Sequence, residues 1–261
     1  MNGVKLYFHY LSLHLRERME YKKSLLLQLF GQFLVSFSLF LSIYFLFRRF
    51  HSVAGFSFSQ VLLSFSVVMM AFSLSEVFFR GFDLFPQMLG NGEFDRILVR
   101  PRNTVFLVIC SKFQLDRLSR VLQGGITLVY AIPRCEVDWT PEKAGVLALM
   151  ILCGTVVFGC LFVCGAAVAF FTIEGLEFIN IFTDGAREFG AYPMAVYGKA
   201  ILLFTTFVIP IACFQYWPML WLMGRSENLL YALCPLLSLL FILPSFLLWK
   251  LGMRKYQSTG S

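Results

Sequence analysis

A chain of 261 residues that is 58% hydrophobic and 14% charged, with 31 Phe and a mean hydropathy of +0.74, is too apolar for an ordinary soluble domain. Those run at about 45–50% apolar and about 25% charged, so the composition predicts an all-α integral membrane protein. The net charge of +7 does not mark a nucleic-acid binder, because Lys and Arg punctuate apolar runs instead of gathering in one domain.

The N-terminus has no early apolar core followed by a small-residue cleavage site, so no cleaved signal peptide is expected. Residues 4–20, "VKLYFHYLSLHLRERME", predict an amphipathic helix. Lys5, His9, Ser12, Arg16 and Glu20 fall on one stripe, and Val4, Tyr7, Phe8, Leu11, Leu15 and Met19 fill much of the opposite side. Such a helix suits the headgroup plane, and residues 1–23 are expected to be an interfacial, cytoplasmic N-terminus. A solvated tail is the plainer alternative.

Six spans are expected. The first covers about residues 24–47 and ends at Arg48, Arg49 and His51. The second covers about 58–79, with Glu76 and Arg80 expected to pair as i,i+4 neighbours. The third is the weakest, because only 121–133 is free of charge, too short for a hydrocarbon core of about 30 Å. It crosses if its helix starts near Phe113 and Arg117 and Arg120 snorkel to the headgroups. Lys112, Asp116 and Arg120 repeat at i,i+4 and are expected to pair along one face.

The fourth span lies within 144–172 and carries Gly165-x-x-x-Ala169, a small-residue pattern that permits close helix contact in lipid. The fifth region, 200–224, holds Pro210 and Pro218. A span to about Cys213 followed by a broken outer segment over 214–228 fits it better than one straight helix. The sixth span covers about 229–249, followed by a tail over 250–261.

With both termini inside, seventeen Lys and Arg lie on the inner side and five outside, a clear positive-inside pattern. Omitting the third span leaves fifteen and seven. The six-span arrangement puts two polar loops inside, 80–112 and 173–199.

The chain shows no nucleotide site: "YGKAI" has Gly198-Lys199 without the rest of a phosphate loop. No zinc-protease or nucleophile-elbow motif occurs, and no His, Asp or Lys is placed to activate a span Ser or Thr. The seven Cys form neither CxxC pairs nor a Cys/His cluster, and read as small packing residues. No metal or cofactor is expected. Ionisable groups are absent from the expected span centres, which argues against an ion-coupled carrier.

One loop stands out, "GEFDRILVRPRN" at 92–103. Phe94, Ile97 and Leu98 lie at i,i+3,i+4 and would form the apolar face of a short helix, flanked by Asp95, Arg96 and Arg100, with Pro101 behind. A helix of this kind can dock into a groove of a soluble partner. An ordinary solvated loop with positive-inside Arg residues explains the same pattern.

The loop resembles the signature loop of ABC-2-type transporter permeases, specifically a bacterial six-span subfamily. Other stretches agree in order: "EYKKSLLLQ" at 20–28, "FQLDRLSRVLQG" at 113–124, "REFGAYPMAVYGKAI" at 187–201, "IPIACFQYWP" at 209–218 and "WKLGMRKYQSTGS" at 249–261.

The resemblance implies a type V exporter-like half-transporter, a single permease domain over 1–261 with an N-terminal interfacial helix and six transmembrane helices, in the bacterial plasma membrane. Its implied partners are a cytoplasmic ABC ATPase, which carries all the ATP hydrolysis, and a second permease, identical or related. The implied ATPase-coupling residues are Phe94, Asp95, Arg96, Ile97, Leu98, Arg100 and Pro101. The second inner loop, with Glu174, Arg187 and Glu188, would supply a further contact. Export is the direction the resemblance implies. The Phe-rich faces suit a lipid-like cargo, or plain contact with lipid. On the residues alone, a stand-alone scaffold, sensor or immunity protein and a secondary carrier remain competing readings.

Overall fold

The computed structural model describes residues 3–50, 52–172 and 176–256. It is a bundle of α-helices with no strand among the described residues beyond an isolated bridge between Val53 and Phe56. Apolar composition dictates this result, because a helix satisfies its own backbone hydrogen bonds where no water is available.

Helix α1 (Gly3–Glu20) leads into α2 (Lys22–Arg49). Helix α3 (Phe58–Asp83) starts at a capping box: the Gln60 amide donates to Ser57 Oγ at 3.4 Å and the Ser57 amide to Gln60 Oε1 at 3.1 Å. That exchange satisfies two of the amides a helix start leaves unpaired. The helix is distorted at Phe79.

Three short helices follow: α4 (Phe85–Gly90), α5 (Glu93–Leu98) and α6 (Thr104–Ser111). Helix α7 covers Leu118–Ala131 and α8 covers Pro141–Ala169, with Thr140 as N-cap and Pro141 in the first turn. A proline there loses no helical hydrogen bond. Helix α9 (Leu176–Gly190) precedes the broken region α10 (Lys199–Phe207), α11 (Ile211–Phe214) and α12 (Tyr216–Leu222). The chain ends in α13 (Leu229–Ser238), a 3-10 turn and α14 (Ile242–Lys255).

Among the described residues, four helical stretches are long and apolar enough to cross a membrane: Lys22–Arg49, Phe58–Gly90, Pro141–Ala169 and Leu229–Lys255. The pair Lys199–Phe207 and Ile211–Leu222 makes a fifth if it counts as one span, bent by 86°. The break falls at Pro210, earlier than the span end expected at about Cys213, because proline removes a helical donor there.

The expected third span differs in detail. Its α-helix begins at Leu118, not near Phe113, after a 3-10 turn at Leu115–Arg117, and alone is too short to cross. Arg117 and Arg120 do not snorkel outward. Both turn into the bundle, where a carboxylate on α3 holds them.

Helices α3 and α8 form the centre, with α7 packed on α3 and α14 on α8. Buried along both helices are Val68, Phe72, Val157, Phe158, Leu161 and Phe162, with the Phe72 and Phe158 rings edge to face at 5.1 Å. Close approach is set by small residues. A Cβ on Gly154 would come within 2.9 Å of Ala71 Cβ on α3. One on Gly81 would collide with the Val108 carbonyl on α6, so glycine there lets the polar loop press against the end of α3.

Candidate functional site

Gly92 adopts the left-handed conformation (φ 68°) and reverses the chain between α4 and α5. Only glycine takes this backbone without a steric penalty. The turn delivers Phe94 into an aromatic nest at the ends of several helices. Its ring is 4.9 Å from Phe85, 5.2 Å from Tyr256, 5.5 Å from Phe170 and 6.3 Å from Trp249, all at steep angles. Edge-to-face rings of this kind add roughly 0.5–1.5 kcal/mol per pair beyond their burial. Phe94 is completely buried and Ile97 nearly so.

Polar contacts fix the same helix. Tyr256 Oη donates to Asp95 Oδ1 at 2.8 Å. Lys112 Nζ lies 3.8 Å from Glu93, and Arg100 Nη1 donates to Tyr10 Oη of α1 at 3.0 Å. Burial pushes the Tyr256 phenol up to about 12, and its hydrogen bond to the Asp95 carboxylate works in the same direction. Burial likewise pushes the Cys110 thiol on α6 up to about 11, which suits a packing residue.

This geometry redraws the docking face expected from the sequence. Phe94 and Ile97 do not face outward; they anchor α5 to its own bundle, and Asp95 is occupied by Tyr256. Helix α5 makes less than two turns, so its buried stripe holds two residues and Leu98 emerges at the far end. The outward surface is Arg96, Leu98, Val99, Arg100 and Pro101, with Val99 82% exposed. Val99 escapes any sequence reading based on helical spacing because it stands just past the helix end.

Of the second expected contact, Glu174 lies outside the described residues. Arg187 and Glu188 sit together on α9 but face different ways. The Glu188 side chain is mostly exposed, whereas that of Arg187 is largely but not fully buried, with its guanidinium 5.0 Å above the Phe72 ring. Arg187 also pairs with Asp184 and with Glu188, each at 3.4 Å.

Between α3, α7 and α9 the fold brings charged residues together. Glu76 on α3 accepts from Arg120 Nη1 at 2.9 Å and lies 3.4 Å from Arg117 Nη1. Arg117 also donates to Gln32 of α2 at 2.9 Å, and its Nε is 3.7 Å from Asp116. Arg80 pairs with Asp83.

The expected Glu76–Arg80 pair is therefore absent, as is the Lys112–Asp116–Arg120 ladder. Glu76 and Lys112 find opposite charges on other elements, Arg80 turns to Asp83 on its own helix and Asp116 to the adjacent Arg117, and the backbone is not α-helical from Lys112 to Gln114. Glu76 and Arg120 are 44 residues apart, so no local pattern announces their contact. Glu76, Arg80, Asp83, Arg117 and Arg120, with Asp184, Arg187 and Glu188, line a cavity of about 600 Å³ whose apolar walls include Val35, Phe72 and Phe162.

Residues 33–260 match the family model described as ABC-2 family transporter protein. No curated protein matches the chain, and no solved structure does.

Proposed function

The chain belongs to the ABC-2 transporter family, and from that premise we propose that it is the membrane-spanning permease subunit of an ATP-driven exporter. It would work with a separate cytoplasmic ABC ATPase and a second permease chain. The observation that carries this reading is the mounting of the 92–103 loop. Its outer rim, Arg96 and Leu98 to Pro101, is exposed, while Phe94 beneath it is locked among Phe85, Phe170, Trp249 and Tyr256.

Those rings come from α4, which follows the end of α3, from the end of α8, and from α14 with the residue after it. A push on the rim is thereby delivered to three parts of the bundle at once, because close-packed interiors transmit displacement instead of absorbing it. ATP binding would close the ATPase dimer against this rim, and the paired permeases would switch access between the two sides of the membrane. Glu188 and the unplaced Glu174 remain candidates for a second contact; the burial of Arg187 suits another role.

The proposed topology has six crossings in the bacterial plasma membrane, with both termini cytoplasmic and α1 in the headgroup plane. The third crossing would use α7 together with the 3-10 turns at both its ends. Residues 115–134 then form one continuous helical path of roughly 33 Å, at about 1.5 Å per α residue and about 2.0 Å per 3-10 residue. This matches a hydrocarbon core of about 30 Å, and the inner excess of Lys and Arg supports the orientation.

The test uses a candidate cytoplasmic ABC ATPase co-expressed with this chain. Arg96→Ala combined with Leu98→Asp removes a charge and an apolar contact from the rim without touching the Phe94 nest. The double variant is expected to fold and to lose co-purification with the ATPase and stimulation of its hydrolysis. Full retention of both would remove the rim from the coupling mechanism.

A further inference from the structure

We propose that the charged cavity between α3, α7 and α9 is a binding site for the phosphate-bearing headgroup of an anionic amphiphile. The first argument is which hydrogen-bonding capacity is left over. Both oxygens of Glu76 already face a guanidinium, Arg117 at 3.4 Å and Arg120 at 2.9 Å. Asp83 is held by Arg80, and Asp184 and Glu188 by Arg187. The lining carboxylates are therefore engaged.

The guanidiniums are not exhausted, because each carries five N–H donors. The Nε–H groups of Arg80, Arg120 and Arg187 are buried with no hydrogen-bond partner among the described residues. That of Arg117 has only Asp116 at 3.7 Å, beyond hydrogen-bond reach. Arg120 is itself more than nine-tenths buried. Unsatisfied buried donors are costly, and an acceptor-only group resolves them. Arg forks match phosphate geometry bidentately, which favours a phosphate over a smaller or singly accepting anion.

The second argument is where charge is desolvated. The four Arg side chains retain 8–17% exposure, whereas Asp184 and Glu188 retain 55% and 61%. Water screens these two carboxylates more than the guanidiniums they pair with, so the cavity interior is more positive than a count of its lining suggests.

The third argument is the apolar side of the site. Val35 places α2 at the cavity wall, and only 11% of the most apolar stretch of α2 is buried by the rest of the chain. A headgroup in the cavity would leave its acyl chains against α2 and the bilayer. The volume of about 600 Å³ fits within the range of small-molecule sites. The leaflet concerned is the inner one if the topology proposed above holds; the site itself stands without that topology.

The test is native mass spectrometry of the full chain released from detergent, without the ATPase, so that failure here leaves the permease reading untouched. The probes are phosphatidylglycerol, diacylglycerol with the same acyl chains, and glycerol phosphate. Phosphatidylglycerol is expected to bind in preference to diacylglycerol. Arg187→Gln and Arg80→Gln are each expected to weaken it about tenfold, as loss of one charge-assisted contact predicts.

Lys250→Gln, at an exposed cation on α14, is expected to change nothing and reports non-specific attraction. Should Arg187→Gln fail to fold, Arg187→Lys keeps the charge, loses the fork and is expected to weaken binding several-fold. Glycerol phosphate binding as tightly as the lipid, with the same sensitivity to Arg187→Gln, would support the phosphate site and assign a soluble source. Equal binding of phosphatidylglycerol and diacylglycerol, or phosphatidylglycerol binding that the Arg variants leave intact, would overturn the proposal.

Discussion

Helices α2 and α3 have nearly the same length and both qualify as membrane spans, yet the fold uses them in opposite ways. Of the most apolar stretch of each, 11% is buried in α2 and 83% in α3. Helix α3 sits between α7 and α8 and buries its serines along with its leucines. Helix α2 buries only Ser36 and Ile43, leaving Leu26, Leu27, Phe30 and Leu34 uncovered. Apolar character therefore states that a helix leaves water and says nothing about what replaces water. For α3 the replacement is protein; for α2 it is lipid or another chain, since lipid tails are as apolar as leucine and impose no penalty on an uncovered face.

The strongest way to break this contrast is through charge. Glu76→Leu is expected to destabilise the chain by about 3–5 kcal/mol, because Arg117 and Arg120 would be left buried without their shared counter-charge. Gln28→Leu, at an exposed site on α2, is expected to stay within about 0.5 kcal/mol. Thermal unfolding of the two variants in detergent, followed by helix content, compares them directly. Equal losses would mean that α2 is covered in the detergent-solubilised chain.

Truncation of leucine gives a second, smaller contrast. Leu63→Ala on α3, at a fully buried site, is expected to cost about 2–5 kcal/mol through lost burial and the cavity left behind. Leu27→Ala on α2, where 73% of the side chain is exposed, is expected to cost within about 0.5 kcal/mol in the isolated chain. A larger cost at Leu27 after assembly with a second permease would show that α2 lies in the interface between the two.

Gly81→Ala tests how closely α3 approaches the polar loop. The added methyl would meet the Val108 carbonyl, a backbone atom with little freedom to give, and about 1–3 kcal/mol is expected to be lost. Tyr256→Phe, which removes the donor to Asp95, is expected to cost about 1 kcal/mol.

The pH dependence of that contact follows from its direction. The folded pKa of Tyr256 is raised to about 12 from an ordinary value of about 10. Its stabilisation is complete below about pH 10, declines as pH rises from about 10 to about 12 and is gone above that. A difference between Tyr256→Phe and the parent that persists undiminished above pH 12 would rule out the hydrogen bond as its source.

Much of the helical layout is legible along the chain because its causes are local. Pro210 and Pro218 announce the broken fifth region, and the capping box at Ser57, Pro141 in the first turn of α8 and Gly92 before α5 are causes just as local. Each acts through its own backbone or that of its near neighbours. The 92–103 loop was equally visible as a polar interruption containing a short amphipathic helix. Which way that helix turned was not, because Phe94 and Ile97 are the right residues both for a partner's groove and for the chain's own core. The pocket that took them is built from Phe85, Phe170, Trp249 and Tyr256, spread over more than 170 positions of sequence. The charged cavity was hidden for the same reason. Glu76 and Arg80 have the spacing of a helical pair, but a guanidinium from α7 reaches Glu76 and Asp83 takes Arg80.

The sequence by itself determined that the chain is helical and belongs in a membrane, and it shows a polar loop that resembles that of ABC-2 permeases and no phosphate-loop motif. These follow from composition, periodicity, capping and motif, which act over a few residues. The tertiary structure alone decided that α3 is buried and α2 is not, that Phe94 and Ile97 are anchors instead of a docking face, and that charges from four different elements line one cavity. Those outcomes depend on which helix ends meet in space. Desolvation and long-range ion pairing are settled there, between residues whose sequence separation carries no record of their contact.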